Sequence, residues 1–393
     1  MRSCIGSSAG KTVDLRLSDS QLTAREYARR FASDVVGPLA DRTDRDRAMP
    51  ATLLEGVREG GWLGAALPAE WGGSEMDSLA YGLVTEEIGR ACSSVRSMLT
   101  VHNMASQALV RFGSSEQQAR WLPDLCTGRK LIAFALTEPD AGSAASSIRT
   151  EARESAGSYV VSGTKVWTTF GLIADLYLVF ARFGNKPMAL VIERERDGVV
   201  IEPMPDVIGT RGSMLARLRL LDVEVPTSHR VGPIGAGISF VANAALDHGR
   251  FSVAWGAAGV IRACLDACLA YASKRSQSGQ LLSEHQLIRR ELTNMLVAHT
   301  TSYALCCRAA SFRATGNPRA VMETALAKYH AAQAAVRTAT DAVRLHGANG
   351  TSQDYPVERY MRDAMVLEII EGTREVLQNS LASYAMQRPY SRS

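Results

Sequence analysis

The hydrophobic periodicity of this chain changes twice, and these changes restrict the fold more than any other feature. Over residues 21–130, apolar side chains recur at helical spacing, as at Leu79 and Leu83. Over residues 131–237 they form short β-rich runs separated by Gly, Asn, Asp and Pro, which predict strands. From residue 238 onward the chain returns to long helical segments rich in Ala, Leu and Arg. The predicted order is helices, sheet, helices, and the predicted fold class is α+β.

We expect these changes to mark domain boundaries. Residues 1–20 begin with small and polar side chains, which predict a flexible N-terminal tail and not a secretory signal. Residues 21–130 then form an N-terminal α-helical domain, and residues 131–237 form a central antiparallel β domain. Long helices joined by short turns over residues 238–393 predict a C-terminal four-helix bundle. Such bundles often bury flat faces against partner subunits.

The charge balance excludes some classes of partner. Lys and Arg together number 44 and Asp and Glu number 40, which gives a net charge of only +4. Sequence-independent binding to nucleic acid requires a strongly basic surface, so we expect no nucleic-acid partner. Although 46% of the residues are hydrophobic, no run approaches the ~20 apolar residues of a membrane span. We therefore expect no membrane association.

The cysteines indicate a reducing compartment. They are odd in number and lack C-x-x-C spacing. The cysteines are Cys4, Cys92, Cys126, Cys264, Cys268, Cys306 and Cys307. This pattern argues against a disulfide framework and against zinc, so we predict a cytoplasmic protein without a metal site. Cys264 and Cys268 are one helical turn apart and could share a metal, but no second ligand pair accompanies them. Core packing is the favoured interpretation of this pair.

The run Ile369–Glu375 places one carboxylate, Glu371, between two isoleucines and Gly372. A carboxylate in apolar surroundings loses hydration and its pKa rises, which suits a base that removes a proton from a weak carbon acid. Thr373 can cap the helix that follows. The alternative is that Glu371 is only a boundary residue that caps or solvates that helix.

Two other segments carry candidate binding groups. Residues 134–143 contain a Pro and a Gly that would hold an irregular turn with exposed amides and hydroxyls, suited to a polar planar ring. In a predicted strand, Trp167 could stack on a cofactor while Thr169 donates a hydrogen bond to it. Taken singly, the first segment is equally well a surface turn and the second a β-strand core.

Together and in this order, these segments resemble the acyl-CoA dehydrogenase family from about Gln21 to Met386. The family's Thr-Glu-Pro-x-Ala-Gly-Ser turn matches Thr137–Ser143, and its Trp-x-Thr strand matches Trp167–Thr169. Its Arg-Asp-Ala…Glu-Gly-Thr ending matches Arg362–Thr373. The resemblance implies the acyl-CoA dehydrogenase fold, with FAD as cofactor.

The resemblance also implies a mechanism and a set of site residues. Glu371 would remove the proton α to a thioester carbonyl while a hydride leaves the β-carbon for N5 of FAD. The residues that it assigns to FAD are Phe134, Leu136, Thr137, Gly142, Ser143, Trp167, Thr169, Arg275, Arg344, Gly347, Thr373 and Glu375. Those that it assigns to the substrate are Ser143, Asp247, Arg250 and Gly372. Some branches carry the base at the position of Gly249, where glycine cannot serve, which leaves Glu371.

Several positions depart from the family pattern. Arg275 matches the arginine that meets the FAD diphosphate across a subunit boundary, but Ser278 stands where that motif has Phe. Arg344 and Ala348 replace Gln and Gly in a second FAD motif, and Ala144 replaces the usual Asp after the Gly-Ser turn. These departures suggest that the protein is not a housekeeping enzyme of fatty-acid oxidation.

A closer resemblance is to the acyl-carrier-protein dehydrogenases of polyketide biosynthesis, in the alkoxymalonyl or hydroxymalonyl extender-unit pathway. The matching runs are Cys92–Ser97, Lys165–Thr169, Ser252–Gly256 and Glu368–Gly372. Arg96 and Trp255 are polar or bulky where a long acyl chain would need an open apolar channel, which implies a short, oxygenated acyl group. Trp255 could equally fill a helix core.

The leading hypothesis is therefore an FAD-dependent dehydrogenase of a short, hydroxylated acyl group on an acyl carrier protein, oxidising a CH–CH or CH–OH bond. The alternatives are an ordinary short-chain acyl-CoA α,β-dehydrogenase, an acyl oxidase that uses O₂, and a non-catalytic flavoprotein scaffold. The expected partners are acyl-CoA or an acyl carrier protein, and an electron-transfer flavoprotein or another oxidant. The expected assembly is a homodimer or homotetramer.

Overall fold

The computed structural model describes residues 16–387. The helices that precede the sheet are α1 (Asp19–Phe31), α2 (Gly37–Asp46), α3 (Ala51–Glu59), α4 (Ser78–Ala91), α5 (Ser93–Phe112) and α6 (Ser115–Cys126). A π-helical turn, Ala32–Val36, makes α1 and α2 nearly continuous. The helical character predicted for this part of the chain is confirmed.

The first helix begins earlier than the predicted end of the N-terminal tail. Ser18 caps α1, and its side chain and that of Gln21 hydrogen-bond each other's backbone in a capping box. Asp19 and Ser20 therefore belong to a helix, and the predicted tail is wrong for these two residues. The prediction for residues 1–15 lies outside the described part of the chain.

The middle of the chain forms one eight-stranded sheet. Its strands are β1 (Ile132–Ala135), β2 (Glu151–Ser155), β3 (Ser158–Thr168), β4 (Leu176–Phe183), β5 (Lys186–Glu193), β6 (Val199–Pro203), β7 (Ala216–Pro226) and β8 (Arg230–Val231). The main path runs β6-β7-β3-β2-β4-β5-β8, with β1 paired to β4. Most pairs are antiparallel as predicted, but β1 and β2 each pair with β4 in parallel.

The C-terminal part is helical again. A π-helical segment, Gly237–Ala242, leads into a bundle of long helices. Its helices are α7 (Asn243–Ala272), α8 (Gln286–Ala314), α9 (Ala320–His346), α10 (Val357–Ile369) and α11 (Arg374–Gln387). A small hairpin of β9 (Ser276–Gln277) and β10 (Gln280–Leu281) joins α7 to α8. The order helices, sheet, helices is confirmed.

Helix α7 forms the centre of this bundle. The span Gly237–Ala272 is long and apolar enough to cross a membrane by composition, with a mean hydropathy of 1.5 over its most apolar 18-residue window. However, 67% of that window is buried within the protein, as expected for a core helix. Cys264 and Cys268 are buried in the core formed by α7 and its neighbours, and residues 16–387 contain no cluster of metal-binding side chains around them. Core packing accounts for this pair.

Trp255 on α7 is fully buried. Its ring lies edge-on to Tyr303 of α8, with ring centroids 5.4 Å apart. On the other side it packs against Gly82 of α4, where any added side chain would collide with the indole. Trp255 therefore fills the junction of three helices, as the core interpretation of this residue requires.

Candidate active site

Glu371 lies where the chain leaves helix α10 and turns toward α11. Ile370 is the C-cap of α10, and Glu371 and Gly372 then follow with φ of +57° and +105°. Glycine tolerates such angles, whereas a glutamate in the left-handed region carries backbone strain. Strain of this kind persists where the surrounding structure enforces it, and it is common at functional sites.

Two cations hold this turn in place. Arg250 of α7 donates from Nε to the Glu371 carbonyl at 2.9 Å. Lys328 of α9 donates from Nζ to the carbonyls of Glu368 at 3.1 Å and Gly372 at 2.7 Å. The last carbonyls of a helix lack partners within the helix and carry partial negative charge, so both cations are well placed. The turn that carries Glu371 is therefore fixed from two neighbouring helices.

The Glu371 carboxylate lies against Gly249 of α7. A Cβ added at Gly249 would lie 2.7 Å from Glu371 Cδ and Oε2. The residue as a whole is only partly buried, but its Oε2 is buried and has no hydrogen-bond partner among the described residues. An unsatisfied buried acceptor indicates a group that is satisfied by a ligand or that must remain free to react.

Burial raises the pKa of Glu371 to about 7. Arg250, Lys328 and Arg96 act in the opposite direction and keep the pKa from rising further. A carboxyl that titrates near neutrality is suited to proton transfer.

The neighbouring Thr373 provides the cap for the next helix. Its hydroxyl accepts from the Val376 N–H at 3.5 Å, at the start of α11. Glu375 is exposed in the first turn and pairs with Arg374 at 3.1 Å. The cap interpretation of this segment therefore applies to Thr373, which leaves the Glu371 carboxylate available for chemistry.

The turn Thr137–Ser143 follows strand β1 and is held from beneath by a buried ion pair. Lys165 of β3 donates from Nζ to Glu138 Oε1 at 2.7 Å and to the Leu136 carbonyl at 3.1 Å. Glu138 also accepts from the Arg149 and Thr150 N–H groups. The Val166 N–H donates to the Thr137 carbonyl at 2.9 Å. Sequence analysis missed this ion pair, although Glu138 and Lys165 both lie within the segments that it selected.

The turn and the end of β3 present groups that fit a flavin. Leu136 is buried, Phe134 and Thr137 are partly buried, and Gly142 and Ser143 are exposed at the tip of the turn. Trp167 is 54% exposed and has φ +58°. The next residue, Thr168, is buried, and its Oγ1 has no hydrogen-bond partner within residues 16–387. Thr169, which sequence analysis selected instead, is partly buried.

The remaining predicted FAD residues lie elsewhere. Arg275, just beyond α7, lines a surface groove of about 500 Å³ together with Lys274, His346 and Asn349. The His346 ring stacks on Tyr271, with centroids 4.3 Å apart. Two cations beside stacked rings suit a dinucleotide diphosphate and its base.

This groove does not adjoin Glu371 within one subunit. Gly249 lies near the start of α7 and Ala272 at its end, which separates them by about 35 Å at 1.5 Å per residue. Gly347 is exposed at the end of α9, and Arg344 is exposed and pairs with Asp341 at 3.0 Å. The structure thus divides the predicted FAD residues between two distant places.

The predicted substrate residues surround Glu371 more closely. Gly372 belongs to the turn described above, and Arg250 of α7 donates a hydrogen bond to it. Asp247, one turn earlier on α7, pairs through Oδ2 with Arg313, and its Oδ1 is buried without a partner in the described chain. Ser143 lies on the separate turn after β1.

The chain is similar to known proteins in both sequence and structure. Three family models match in succession: the acyl-CoA dehydrogenase N-terminal domain over residues 18–129, the middle domain over 133–223 and the C-terminal domain over 235–386. A probable acyl-CoA dehydrogenase of Bacillus subtilis, YngJ, is 34% identical over 371 residues, which are 93% of this chain and 97% of that protein.

Solved structures agree with these matches. Butyryl-CoA dehydrogenase from Megasphaera elsdenii superposes with a TM-score of 0.92 and 31% identity, covering 95% of this chain and all of that one. FkbI, described as serving biosynthesis of the methoxymalonyl extender unit of a polyketide immunosuppressant, gives a TM-score of 0.85 and 34% identity. That match covers 92% of this chain and all of FkbI.

Proposed function

Because this chain belongs to the acyl-CoA dehydrogenase family, we propose that it oxidises a short, oxygenated acyl thioester and that Glu371 is its catalytic base. Membership makes the chain an FAD-dependent oxidoreductase acting on acyl thioesters. The observation that carries the proposed role of Glu371 is its carboxylate, which is enclosed against Gly249 with one oxygen unsatisfied.

The residues around Glu371 account for proton removal. Arg250 and Lys328 fix the backbone of the turn. The carboxylate is therefore aimed by its main chain and not by hydrogen bonds that would compete with the proton. Since burial brings the pKa of Glu371 to about 7, the ionised form is available at neutral pH and still basic enough to take a proton from carbon.

The chain also contains groups that would hold FAD. The turn Thr137–Ser143, the exposed Trp167 and the partly buried Thr169 would contact the flavin ring. When bound, FAD supplies the acceptor for the hydride that leaves the acyl group. The groove at Arg275 is about 35 Å from Gly249 by helix length, so we assign it to the FAD of a partner subunit. This assignment supports a homodimer or a homotetramer.

The nature of the carrier and the pathway are finer proposals. The likeness to FkbI over the whole of that chain supports a role in polyketide extender-unit biosynthesis, for which we propose a carrier-protein thioester as the substrate. The buried Arg96 beside the bundle core supports a polar acyl group over a long apolar one. Free thiols at all six described cysteines are compatible with a cytoplasmic location.

An ordinary short-chain acyl-CoA dehydrogenase is the second candidate. It is supported by relatives such as the mouse mitochondrial protein described as short-chain specific, which is 32% identical over 379 residues. An electron-transfer flavoprotein is then the proposed oxidant. An acyl oxidase and a non-catalytic scaffold are further alternatives, and the enclosed Glu371 argues against the scaffold.

Anaerobic bleaching of the bound flavin at its usual band near ~450 nm tests the proposal. Short acyl groups are offered on CoA and, separately, on a phosphopantetheinylated carrier protein. Bleaching by a carrier-bound hydroxyacyl group alone supports the extender-unit role, whereas bleaching by saturated acyl-CoA supports ordinary desaturation. If no acyl thioester bleaches the flavin of the holoenzyme, the proposed function is wrong. Reoxidation by O₂ alone at a catalytic rate would identify an oxidase.

A further inference from the structure

The π-helical segment Gly237–Ala242 carries an exposed aromatic side chain just ahead of α7. Its Val241 N–H donates to the Ala236 carbonyl at 3.1 Å, the five-residue spacing that defines a π-helix. Phe240 in this segment is 62% exposed. Short π-helical turns are rare and occur often at functional sites. An exposed aromatic ring is also a side chain typical of protein interfaces.

The neighbourhood of Phe240 is built from three segments of the chain. The Gly235 N–H donates to the Pro187 carbonyl at 2.8 Å, next to the turn between β4 and β5. The Gly232 N–H donates to the Phe112 carbonyl at 3.1 Å, at the end of α5. The π-helical segment itself packs against β4, β5 and α5. Residues 107–113, 182–187 and 232–246 therefore meet around this ring.

These three segments carry only positive charge. They contain the three cations Arg111, Arg182 and Lys186 and no Asp or Glu. Arg111 and Lys186 are exposed and Arg182 is half-buried. None of the three forms an ion pair with a carboxylate of residues 16–387, and Arg182 donates only to the neutral side chain of Asn185, at 2.9 Å. Their charges are therefore free to attract an acidic partner.

The same segment leads directly to the catalytic base. Gly249, against which the Glu371 carboxylate lies, follows Phe240 by about 13 Å of helix. Between them is Asp247, whose Oδ1 is buried and has no hydrogen-bond partner in the described chain. An acceptor of this kind suits an amide N–H of a pantetheine arm. An arm that runs from Glu371 past Asp247 reaches the protein surface beside Phe240.

We infer that Phe240, with Arg182 and Lys186 beside it, is the docking surface for the carrier protein that brings the acyl group. The inference rests on the proposed function, because it takes the thioester to lie at Glu371 and to be borne by a carrier protein. Such a carrier is a small acidic protein with an apolar patch beside the serine that bears its phosphopantetheine arm. Its acidic side chains meet the two cations while the apolar patch covers the ring. CoA has the same arm but no protein surface to cover Phe240.

The test offers one butyryl group on three supports, which are pantetheine, CoA and a phosphopantetheinylated acyl carrier protein of a polyketide pathway. Their Kd values are measured by flavin absorbance titration of the FAD-loaded Glu371→Gln protein, so that turnover does not interfere. We expect the carrier-bound group to bind at least ~10-fold more tightly than the pantetheine-bound one. Equal binding of these two would overturn the inference.

Phe240→Ala in the same background locates the contact. It is expected to remove most of the gain due to the carrier protein, while the Kd values of butyryl-CoA and butyryl-pantetheine change less than about twofold. Leu221→Ala is the matched control, since Leu221 is 50% exposed on β7, which is separated from β5 by three strands of the sheet. Equal weakening of all three ligands by Phe240→Ala, or none, would overturn the assignment.

Lys186→Glu tests the charge. It is expected to weaken binding of the carrier-bound group by roughly 5–10-fold, and added salt should reduce this difference. Lys130→Glu makes the same change in net charge beside Glu193, at the other end of β5 and about 23 Å from Lys186, and should leave carrier binding unchanged. If Lys186→Glu weakens butyryl-CoA as much as the carrier-bound group, the lysine contacts phosphate and the docking assignment is wrong.

Two further outcomes separate this inference from its rivals. If Phe240→Ala alters the molar mass of the holoenzyme measured by light scattering, a second copy of the chain covers the ring and the docking assignment falls. If the carrier protein binds through Phe240 but no acyl thioester bleaches the wild-type flavin, the docking surface stands and the proposed function falls. If thioesters bleach the flavin but Phe240→Ala leaves carrier binding unchanged, the function stands and the docking surface falls.

Discussion

The Glu371 carboxylate occupies the space that a side chain at Gly249 would need. An added Cβ would lie 2.7 Å from its Oε2. Any side chain at Gly249 would therefore force the end of the Glu371 side chain out of its present position.

Gly249→Ala is expected to retain FAD but to slow flavin reduction by about 100-fold, because a displacement of about 1 Å at the reacting group is that costly. Stopped-flow bleaching under anaerobic conditions measures the rate, and the absorbance of bound flavin measures retention. Reduction at the wild-type rate would show that the carboxylate is not held where the structure places it.

Glu371→Gln is expected to remain yellow and FAD-bound but to lose flavin reduction by substrate, because only the base is removed. It should also be more stable than wild type at pH 8. Burial raises the pKa of Glu371 to about 7, so the folded state binds this proton more tightly than the unfolded chain. The ionised residue thus destabilises the fold above that pH, by on the order of 2–3 kcal/mol.

Thermal unfolding of the two proteins at pH 8 and pH 4 checks this second effect. The advantage of Glu371→Gln should shrink as the pH falls through about 7 and disappear near the pKa of an unfolded glutamate, about 4.3. If the stability advantage of Glu371→Gln is the same at both pH values, it does not arise from the ionisation of Glu371. Undiminished flavin reduction in the variant would refute the role of base.

Flavin reduction by wild type is expected to fall as the pH decreases through about 7, since only ionised Glu371 accepts a proton. This fall in rate is the acidic limb of the pH profile. Because Lys328 lowers the pKa of Glu371, Lys328→Met is expected to move the acidic limb to higher pH. The variant also loses the two hydrogen bonds to the Glu368 and Gly372 carbonyls.

Rates of anaerobic bleaching between pH 5 and 9 provide the comparison. Lys328→Arg, which keeps the positive charge, serves as the control and should leave the limb close to its wild-type position. A merely structural lysine would lower the rate equally at every pH and leave the limb in place.

Lys165→Met is expected to destabilise the protein by about 3–5 kcal/mol, because it leaves the Glu138 carboxylate buried without its cation. It should also weaken FAD binding, since the turn Thr137–Ser143 loses its support from β3. Denaturant unfolding and FAD titration of the apoprotein measure the two effects. The double variant Glu138→Gln with Lys165→Met should recover part of both losses, and additive losses would show that the two residues act separately.

Local periodicity was sufficient to predict the long helices and four of the strands, because the hydrophobic pattern that indicates each element lies within its own segment of the sequence. Four of the β-rich runs predicted within residues 131–237 begin at Tyr159, Leu176, Met188 and Val199, and each of them lies in a strand. The parallel pairing of β1 with β4 could not be predicted in this way, because it joins segments about 40 residues apart whose contact depends on the whole sheet.

The site was predicted in part. Glu371 and Arg250 do meet, as the motifs imply. The burial of Thr168 could not be predicted, because the pairing of β3 with β7 shifts register between Lys165 and Thr168, at the positive φ of Trp167. Simple alternation of side chains fails at such a bulge. Lys328 was missed because a lysine in a helix is normally exposed, and nothing near it in sequence indicates that it reaches the turn at Gly372.

Gly249, Ser252 and Gly256 are spaced by three and four residues on α7 and so share one face of it. This spacing has a consequence for how the protein can diverge. Insertion or deletion of one residue between the two glycines would rotate one of them by about 100° around the helix. Glu371, which lies against Gly249, and Arg96, which lies against Gly256, would then no longer face the same side of α7. Related chains that keep both contacts should therefore show no change in length between Gly249 and Gly256.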